Sequence, residues 1–439
     1  LEKTRQTLEV KKERAILVAA HLPGGDGWDN LVELTALAES AGAIVVDRFQ
    51  QKLRKINPST YIGKGKVEQL EQRVRQYKAD VIIFDNDLSP AQIRDLEEAI
   101  QAKVVDRSEL ILDIFATRAQ TKQAKVQVEL AQLEYTYPRL TQMWSHLDTV
   151  AGAAGGAGTP GAVGAIGTRG PGEQQLEIDR RLVSKRINEL KEELEELDLR
   201  KLREIKGRKQ CFQVCIVGYT NAGKSTLLNA LTDAGVVAED RLFATLDTRT
   251  RKWAPCKGAD VLISDTVGFV RNLPHQLVAS FKATLEEAVY ADLLLHVIDV
   301  SHPEVMNQIE SVNKVLSEIG CGDKPILEAF NKVDAITEIG RLELLQTLHP
   351  EAVSISAKTC FGLDELSRRV TQYYRGGDVV VRVLSSQANG KVQSFLRAHG
   401  QIISEQYVDS SVIIDVKIGQ KQLPELQRLH PDKLEIVEG

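Results

Sequence analysis

Gly218-Tyr219-Thr220-Asn221-Ala222-Gly223-Lys224-Ser225 has the spacing of a phosphate cradle, G-x-x-x-x-G-K-[ST]. The glycines let the backbone fold back so that successive N–H groups point inward at phosphate oxygens. Lys224 brings a full positive charge, and the Ser225 hydroxyl offers an oxygen to Mg2+. The flanks fit: residues 211–217 (CFQVCIV) read as an apolar strand and residues 226–231 (TLLNAL) as a helical start. A helix N-terminus adds partial positive charge at the same spot.

Further patterns follow in order, each after a strand-like run. Asp265-Thr266-Val267-Gly268 succeeds residues 261–264. An Asp at a strand end holds Mg2+ through water, and the Gly268 N–H can meet a γ-phosphate. Asn331-Lys332-Val333-Asp334 succeeds residues 326–330. The Asp334 carboxylate can accept both the ring N–H and the exocyclic amine of guanine, an edge that adenine lacks. Asn331 would brace that loop, and the Lys332 stem would lie along the base. Ser356-Ala357-Lys358 follows the next strand, where a backbone N–H can reach the guanine carbonyl. Together these read as a GTP and GDP site. Between the cradle and Asp265 lies Phe243-Ala244-Thr245-Leu246-Asp247, a switch segment that must lend Mg2+ a hydroxyl. Spacing alone leaves Thr245, Thr248 and Thr250 as candidates. Many GTPases place a water-orienting Gln directly after D-x-x-G. Here that position is Phe269, with Arg271 and His275 the nearest polar side chains.

The scaffold needed to position these loops is large. With 439 residues, two to four domains are expected. A hydrophobic content of 43% and a charged content of 27% fit globular domains with real cores. A net charge of −5 argues against blanket nucleic-acid binding. No apolar run reaches the roughly 18 residues that span a bilayer, and nothing at Leu1 reads as a secretory signal. Cys211, Cys215, Cys256, Cys321 and Cys360 form no C-x-x-C pair, so zinc and redox motifs are not expected. A reducing, cytoplasmic setting follows.

In chain order, residues 14–115 alternate strands and helices, which implies a parallel sheet covered by helices. Ser89 and Pro90 mark one helix start. Residues 61–66 (YIGKGK) open a helix and offer a second phosphate site, without a full fingerprint. Val126, Leu130, Leu133, Tyr137, Leu140, Trp144 and Leu147 form a seam of four-and-three spacing, with a kink expected at Pro138. Leu176, Val183, Ile187, Leu190, Leu194, Leu197 and Leu202 form the returning seam. An antiparallel helical hairpin is expected. The Gly- and Ala-rich residues 151–172 between them cannot build a core. They are either a plain linker or a tip that orders against a partner. Residues 211–374 form a second α/β unit, and the chain from 378 a small α+β unit. The organisation is therefore an N-terminal α/β domain (1–116), a helical hairpin (117–207), a P-loop GTPase domain (208–375) and a C-terminal α+β domain (376–439).

GYTNAGKS at 218–225, FATLD at 243–247 and DTVGF at 265–269 resemble the HflX family of GTPases. The likeness extends to VDR at 105–107, ILDIFA at 111–116, QVELAQL at 127–133 and RGPGE at 169–173, covering about residues 14–375. The resemblance implies a cytoplasmic, monomeric GTPase that binds the large ribosomal subunit and splits stalled ribosomes under stress. It implies that the N-terminal region and glycine loop approach the peptidyl-transferase region. It makes Thr245 the switch threonine that ligates Mg2+ beside Ser225 and Asp265. Lys224, Thr245 and Gly268 would then serve catalysis. Two departures stand out: residues 151–168 exceed the family's usual loop, and Glu328 interrupts an apolar strand, as an edge or surface position would allow. A different class of function is a GTP-gated scaffold whose hairpin recruits a protein or a peripheral membrane partner.

Base choice is directly testable. Asp334→Asn should weaken GTP and improve binding of a xanthine nucleotide. Sites built on such paired bonds discriminate by roughly 10^4 to 10^5. Equal GTP affinity in variant and wild type would defeat the assignment.

Overall fold

The computed structural model describes residues 12–22, 31–143, 171–207, 211–232, 243, 248–256, 259, 261–271, 287–336, 339–408 and 410–438. The chain divides into two compact units, one holding residues 1–200, 240–246 and 272–281 and the other the remainder.

The first unit alternates β1 (Arg14–His21), α1 (Val32–Ser40), β2 (Ile44–Lys52), α2 (Lys64–Tyr77), β3 (Val81–Phe84), α3 (Pro90–Ile100), β4 (Lys103–Asp106) and α4 (Arg107–Arg118). The strands pair in parallel in the order β2-β1-β3-β4. Apolar runs such as residues 15–20 are buried along their length, as a sheet with both faces covered requires. Ile16, Val18, Ile82, Phe84 and Val104 meet Leu70, Val74, Leu96 and Ile100 of α2 and α3 in one core. The Ser89 cap is present, with Ser89 and Gln92 forming a reciprocal capping box ahead of Pro90. The first helix is described from Val32, after a left-handed Leu31. In YIGKGK, Gly63 caps α2, and Lys66 lies over the Phe49 ring and bonds Gln69. Those contacts account for Lys66, and β2 ends at Lys52, so no strand directly precedes the loop.

The VDR stretch earns its place structurally. Asp106 caps α4 by accepting the Glu109 N–H at 2.9 Å, and also accepts from the Leu88 N–H and the Tyr135 hydroxyl. Arg107, 2% exposed, pairs with Asp85 and with Glu33, each at 2.5 Å.

The hairpin is α5 (Lys122–Met143) and α6 (Pro171–Gly207). Val126, Leu130 and Leu190 are its buried seam, with Leu133, Ile187, Leu194 and Leu197 packed against them. Ion pairs Lys122–Glu193, Glu129–Arg186 and Glu134–Lys191 flank the seam. The α-helix runs through Pro138 to Met143, so the proline costs a hydrogen bond without ending the helix. Trp144, Leu147 and the Gly-rich stretch to residue 170 lie outside the described residues.

The second unit carries β5 (Phe212–Gly218), α7 (Lys224–Thr232), β6 (Arg249–Trp253), β7 (Val261–Asp265), β8 (Leu293–Asp299), α8 (Val305–Glu318), β9 (Ile326–Asn331), α9 (Ile339–Leu348), β10 (Val353–Ser354) and α10 (Leu363–Arg375). Six strands pair in the order β10-β9-β8-β5-β7-β6, parallel except for the antiparallel edge β6. β6 and β7 are thus antiparallel neighbours, from Arg249 opposite Asp265 to Trp253 opposite Val261. Glu328 lies on β9, which β10 and β8 flank, so it is not on an edge strand. It bonds His349 at 2.7 Å.

The same unit ends in β11 (Asp378–Ser386), α11 (Gly390–His399), β12 (Gln401–Val408), β13 (Ser411–Gly419), α12 (Leu423–Arg428) and β14 (Lys433–Glu438), ordered β12-β13-β11-β14. This is the β-α-β-β-α-β arrangement of the split βαβ motif. Val381, Val383, Ile414 and Val416 face Val392 and Leu396 in its core. Among the described residues, no helix is long and apolar enough to cross a membrane.

The buried guanidinium sets a stability test. Removing one partner of a buried pair leaves an uncompensated charge and costs about 3–5 kcal/mol. Arg107→Met, which removes the cation between Asp85 and Glu33, should lower unfolding free energy by that order. The exposed Arg75–Glu71 pair should contribute less than about 1 kcal/mol. Denaturant titration of R107M and R75M checks both, and similar losses would contradict the assignment.

Candidate functional site

The sheet brings the cradle and three of the other motifs to the carboxyl ends of β5, β7, β9 and β10. β5 delivers Gly218, and α7 opens at Lys224, so the loop's backbone faces a helix N-terminus. Gly223 has a φ of +93°, and a Cβ there would sit 2.3 Å from Asn331 Nδ2. Asn331 closes β9. Its Nδ2 donates to Ala222 O at 2.8 Å, and its Oδ1 accepts from the Ala357 N–H at 2.9 Å. One carboxamide thus joins the phosphate loop, the N-K-x-D loop and the S-A-K loop.

The rest of the base loop is arranged around it. Lys332, left-handed at φ 64°, pairs with Asp299 at 2.7 Å. Val333 and Asp334 lie in a 3-10 turn, where Asp334 is exposed and can receive a ligand edge. Ser356 is buried and its Oγ accepts from the Thr359 N–H at 3.1 Å, while Lys358 is exposed beside it.

On the phosphate side, Lys224 is 6% exposed and its Nζ donates to the carbonyls of Gly218 at 3.1 Å and Tyr219 at 2.7 Å. Burial pushes its pKa down to about 8, against the pull of the Asp265 carboxylate. Ser225 Oγ donates to Asp265 Oδ2 at 2.6 Å. A hydroxyl and a strand-end carboxylate so close are hard oxygen donors of the kind Mg2+ takes, and the cation would fit beside them. Thr266 bonds Ile216 O through its hydroxyl at 2.7 Å and Val267 is buried, so both serve to hold the strand end. Gly268 sits where a Cβ would lie 2.8 Å from Lys224 Nζ. The Thr220 N–H donates to Phe269 O at 2.7 Å. The Asn221 backbone takes φ 60° to make the turn.

The switch segment is only partly placed. Phe243 is buried, its ring edge-on to Phe115 at 4.6 Å. Ala244, Thr245, Leu246 and Asp247 lie outside the described residues, as does His275. Thr250 belongs to β6 and shares a hydrogen bond with Ser264 at 2.9 Å, so it is sheet structure rather than a switch hydroxyl. Thr248 accepts from Lys201 Nζ at 3.4 Å.

Sequence reasoning passed over three groups near the site. Glu287 is buried and reaches Thr250 Oγ1 at 3.5 Å. His296, on β8, is buried, and burial together with the Lys224 charge pushes its pKa down to about 3. The Tyr219 hydroxyl accepts the Arg271 N–H at 2.7 Å. No spacing rule signals any of them. Cys215 is buried on β5, whereas Cys211 precedes the strand and is half-buried.

Three family profiles match the chain in series. Residues 28–116 match one described as a GTP-binding GTPase N-terminal region, residues 118–208 a GTP-binding GTPase middle region, and residues 213–332 a 50S ribosome-binding GTPase. Among curated relatives, the GTPase HflX of Lacrimispora saccharolytica is 44% identical over 423 residues, covering 94% of this chain and 96% of its own. That of Caldanaerobacter subterraneus is 43% identical, covering 93% and 91%. The Escherichia coli protein is 41% identical over 370 residues, covering 83% of each chain. A crystal structure of a GTP-binding protein from Sulfolobus solfataricus with GDP is 27% identical, covering 82% of this chain and 98% of its own, with a TM-score of 0.44.

The Lys224 environment predicts a proton linkage. With its pKa near 8, much of the lysine is neutral in the free protein at about pH 8.5, whereas bound phosphates hold it charged. GTP binding should therefore take up a proton at about pH 8.5, and less at about pH 7. Calorimetry in buffers of different ionisation enthalpy reads the uptake. No uptake at the higher pH would contradict a buried, phosphate-facing Lys224.

Proposed function

The chain belongs to the HflX family of GTPases, and we propose that it uses GTP hydrolysis to act on the large ribosomal subunit, splitting or rescuing stalled ribosomes. The observation that carries the nucleotide half is the Asn331 carboxamide, which ties the phosphate loop to both base-binding loops. A cradle so tied holds one guanine nucleotide across three strand ends. For the ribosomal half, support comes from the 50S ribosome-binding GTPase description matched by residues 213–332 and from the HflX relatives that span nearly the whole chain.

In this reading the loop from Gly218 to Ser225 holds the α, β and γ phosphates by its N–H groups, and Lys224 spreads charge over β and γ. Ser225, Asp265 and Thr245 would hold Mg2+, which would supply positive charge beside the phosphates when bound. Gly268 senses the γ-phosphate through its N–H. Asp334 reads the guanine edge, with Lys332 along the base and Ala357 at its carbonyl. Water attacks the γ-phosphorus to give GDP and phosphate.

Phe269 has no polar side-chain atom, and its ring is 2% exposed. Charge stabilisation alone then gives slow turnover, and a partner that orders the switch segments supplies the rest. In this reading the hairpin is an element that meets rRNA, and the protein works in the cytoplasm as a monomer.

Two measurements on the full chain test this. Co-sedimentation with purified large subunits should be strong with a non-hydrolysable GTP analogue and weak with GDP. Single-turnover hydrolysis should rise by roughly 10^3 to 10^5 on adding subunits, the range seen when a missing catalytic group is supplied. A fast intrinsic rate that subunits leave unchanged would overturn the mechanism. Nucleotide-gated binding to vesicles with no binding to subunits would favour the scaffold reading instead.

A further inference from the structure

The strand pairing of β5 with β7 does not stop where the strands end. The last register pair is Ile216 with Asp265, and a further parallel bridge joins Tyr219 to Phe269. Between these two pairings the β7 side carries one more residue than the β5 side. Gly268 lies within that extra length and is pressed against the cradle, where a Cβ would lie 2.8 Å from both Lys224 Nζ and Thr220 Cα.

Three hydrogen bonds hold the segment there. The Phe269 N–H donates to Gly218 O at 3.1 Å, and the Thr220 N–H donates to Phe269 O at 2.7 Å. The Arg271 N–H donates to the Tyr219 hydroxyl at 2.7 Å. The first two are backbone bonds that any residue supplies. The third needs a phenol at position 219. Tyr219 is 7% exposed and Arg271 half-buried, so the bond is partly shielded from water and its loss would leave an N–H to be satisfied elsewhere.

We propose that Tyr219 is a positioning residue for the γ-phosphate response. Its hydroxyl latches the chain just beyond Gly268 to the phosphate loop, so that the Gly268 N–H stays beside Lys224. The tyrosine hydroxyl points at Arg271 rather than into the cradle, so it acts on the nucleotide only through the segment it holds. The α and β phosphates are bound by the loop backbone and do not depend on the latch. Only a ligand with a γ-phosphate does. This proposal rests on the nucleotide site and is independent of the ribosomal reading, which its own subunit assays decide.

The test is Tyr219→Phe in the full chain, which keeps the ring and deletes the hydroxyl. GDP affinity should stay within about two-fold of wild type. Affinity for a non-hydrolysable GTP analogue should fall about ten-fold, the equivalent of one shielded hydrogen bond. Single-turnover hydrolysis should slow by at least that factor. Equal weakening of both nucleotides would mark a structural role for the side chain and overturn the proposal, as would no weakening of either. Hydrogen exchange on the wild-type protein provides a check that needs no variant. The Arg271 amide should be protected with GDP and with the analogue alike, and exchange at the rate of an open peptide would overturn the latch.

Discussion

The nucleotide cradle depends on one buried carboxamide. Asn331 is 2% exposed and presents a donor to Ala222 O and an acceptor to the Ala357 N–H. Asp in its place would bring a second acceptor against the Ala222 carbonyl, and Leu would leave two buried backbone groups unsatisfied. The bond to Ala222 also dictates Gly223, since no side chain fits 2.3 Å from the amide nitrogen. A residue of the phosphate signature is therefore required by a residue of the base signature. The motifs are not four independent sites but one object, and its rigidity comes from a fully satisfied polar link in a dry place.

Dryness has an electrostatic consequence. Lys224 is held away from water, and its pKa falls to about 8 because burial disfavours the charge more than Asp265 favours it. A lysine whose folded pKa lies below its unfolded value destabilises the fold while it is charged. That penalty is fully present below about pH 8 and fades as pH rises toward the ordinary lysine value of roughly 10.4. Below pH 8 the free protein carries a destabilised cation that a polyphosphate relieves. The neighbouring His296, pushed to about 3, stays neutral throughout and adds no second positive charge under the cradle. Burial also raises the Cys215 thiol well above its usual value, with Glu287 and Asp265 adding to the effect, so this cysteine remains an inert core group.

What the sequence reveals follows from what each feature costs. The phosphate loop, D-x-x-G, N-K-x-D and S-A-K were legible because each needs particular residue types at a strand end, and apolar runs mark the strands. The two hairpin seams were legible for the same reason of periodicity. β12 was not, because an edge strand reading QIISEQYV is largely exposed and carries a register shift between Ile402 and Ser404. Glu328 suggested an edge or surface position, whereas it lies half-buried on an inner strand and its His349 partner follows α9, 21 residues on. Thr250 looked like a switch hydroxyl until its register opposite Ser264 placed it in the sheet. Tyr219 was read for its backbone, and its side chain's partner lies fifty residues away. Long-range polar partners leave no local pattern to read.

Phe269 joins these threads. Its N–H and C=O are both bonded to the phosphate loop, and its ring is buried. Residue 269 therefore has no group left to orient a water while the segment is in this position. A glutamine side chain there would need the same backbone but would carry its amide into the buried space the phenyl ring fills, at a desolvation cost. The ring is buried at this position, and Gly268 before it lies close against Lys224. In the proposed mechanism, γ-phosphate recognition and water orientation are therefore separate tasks. The first is built into the cradle by bonds that close before any partner arrives. The second falls to groups beyond Arg271 or to the surface on which the protein acts, which makes hydrolysis conditional on engagement.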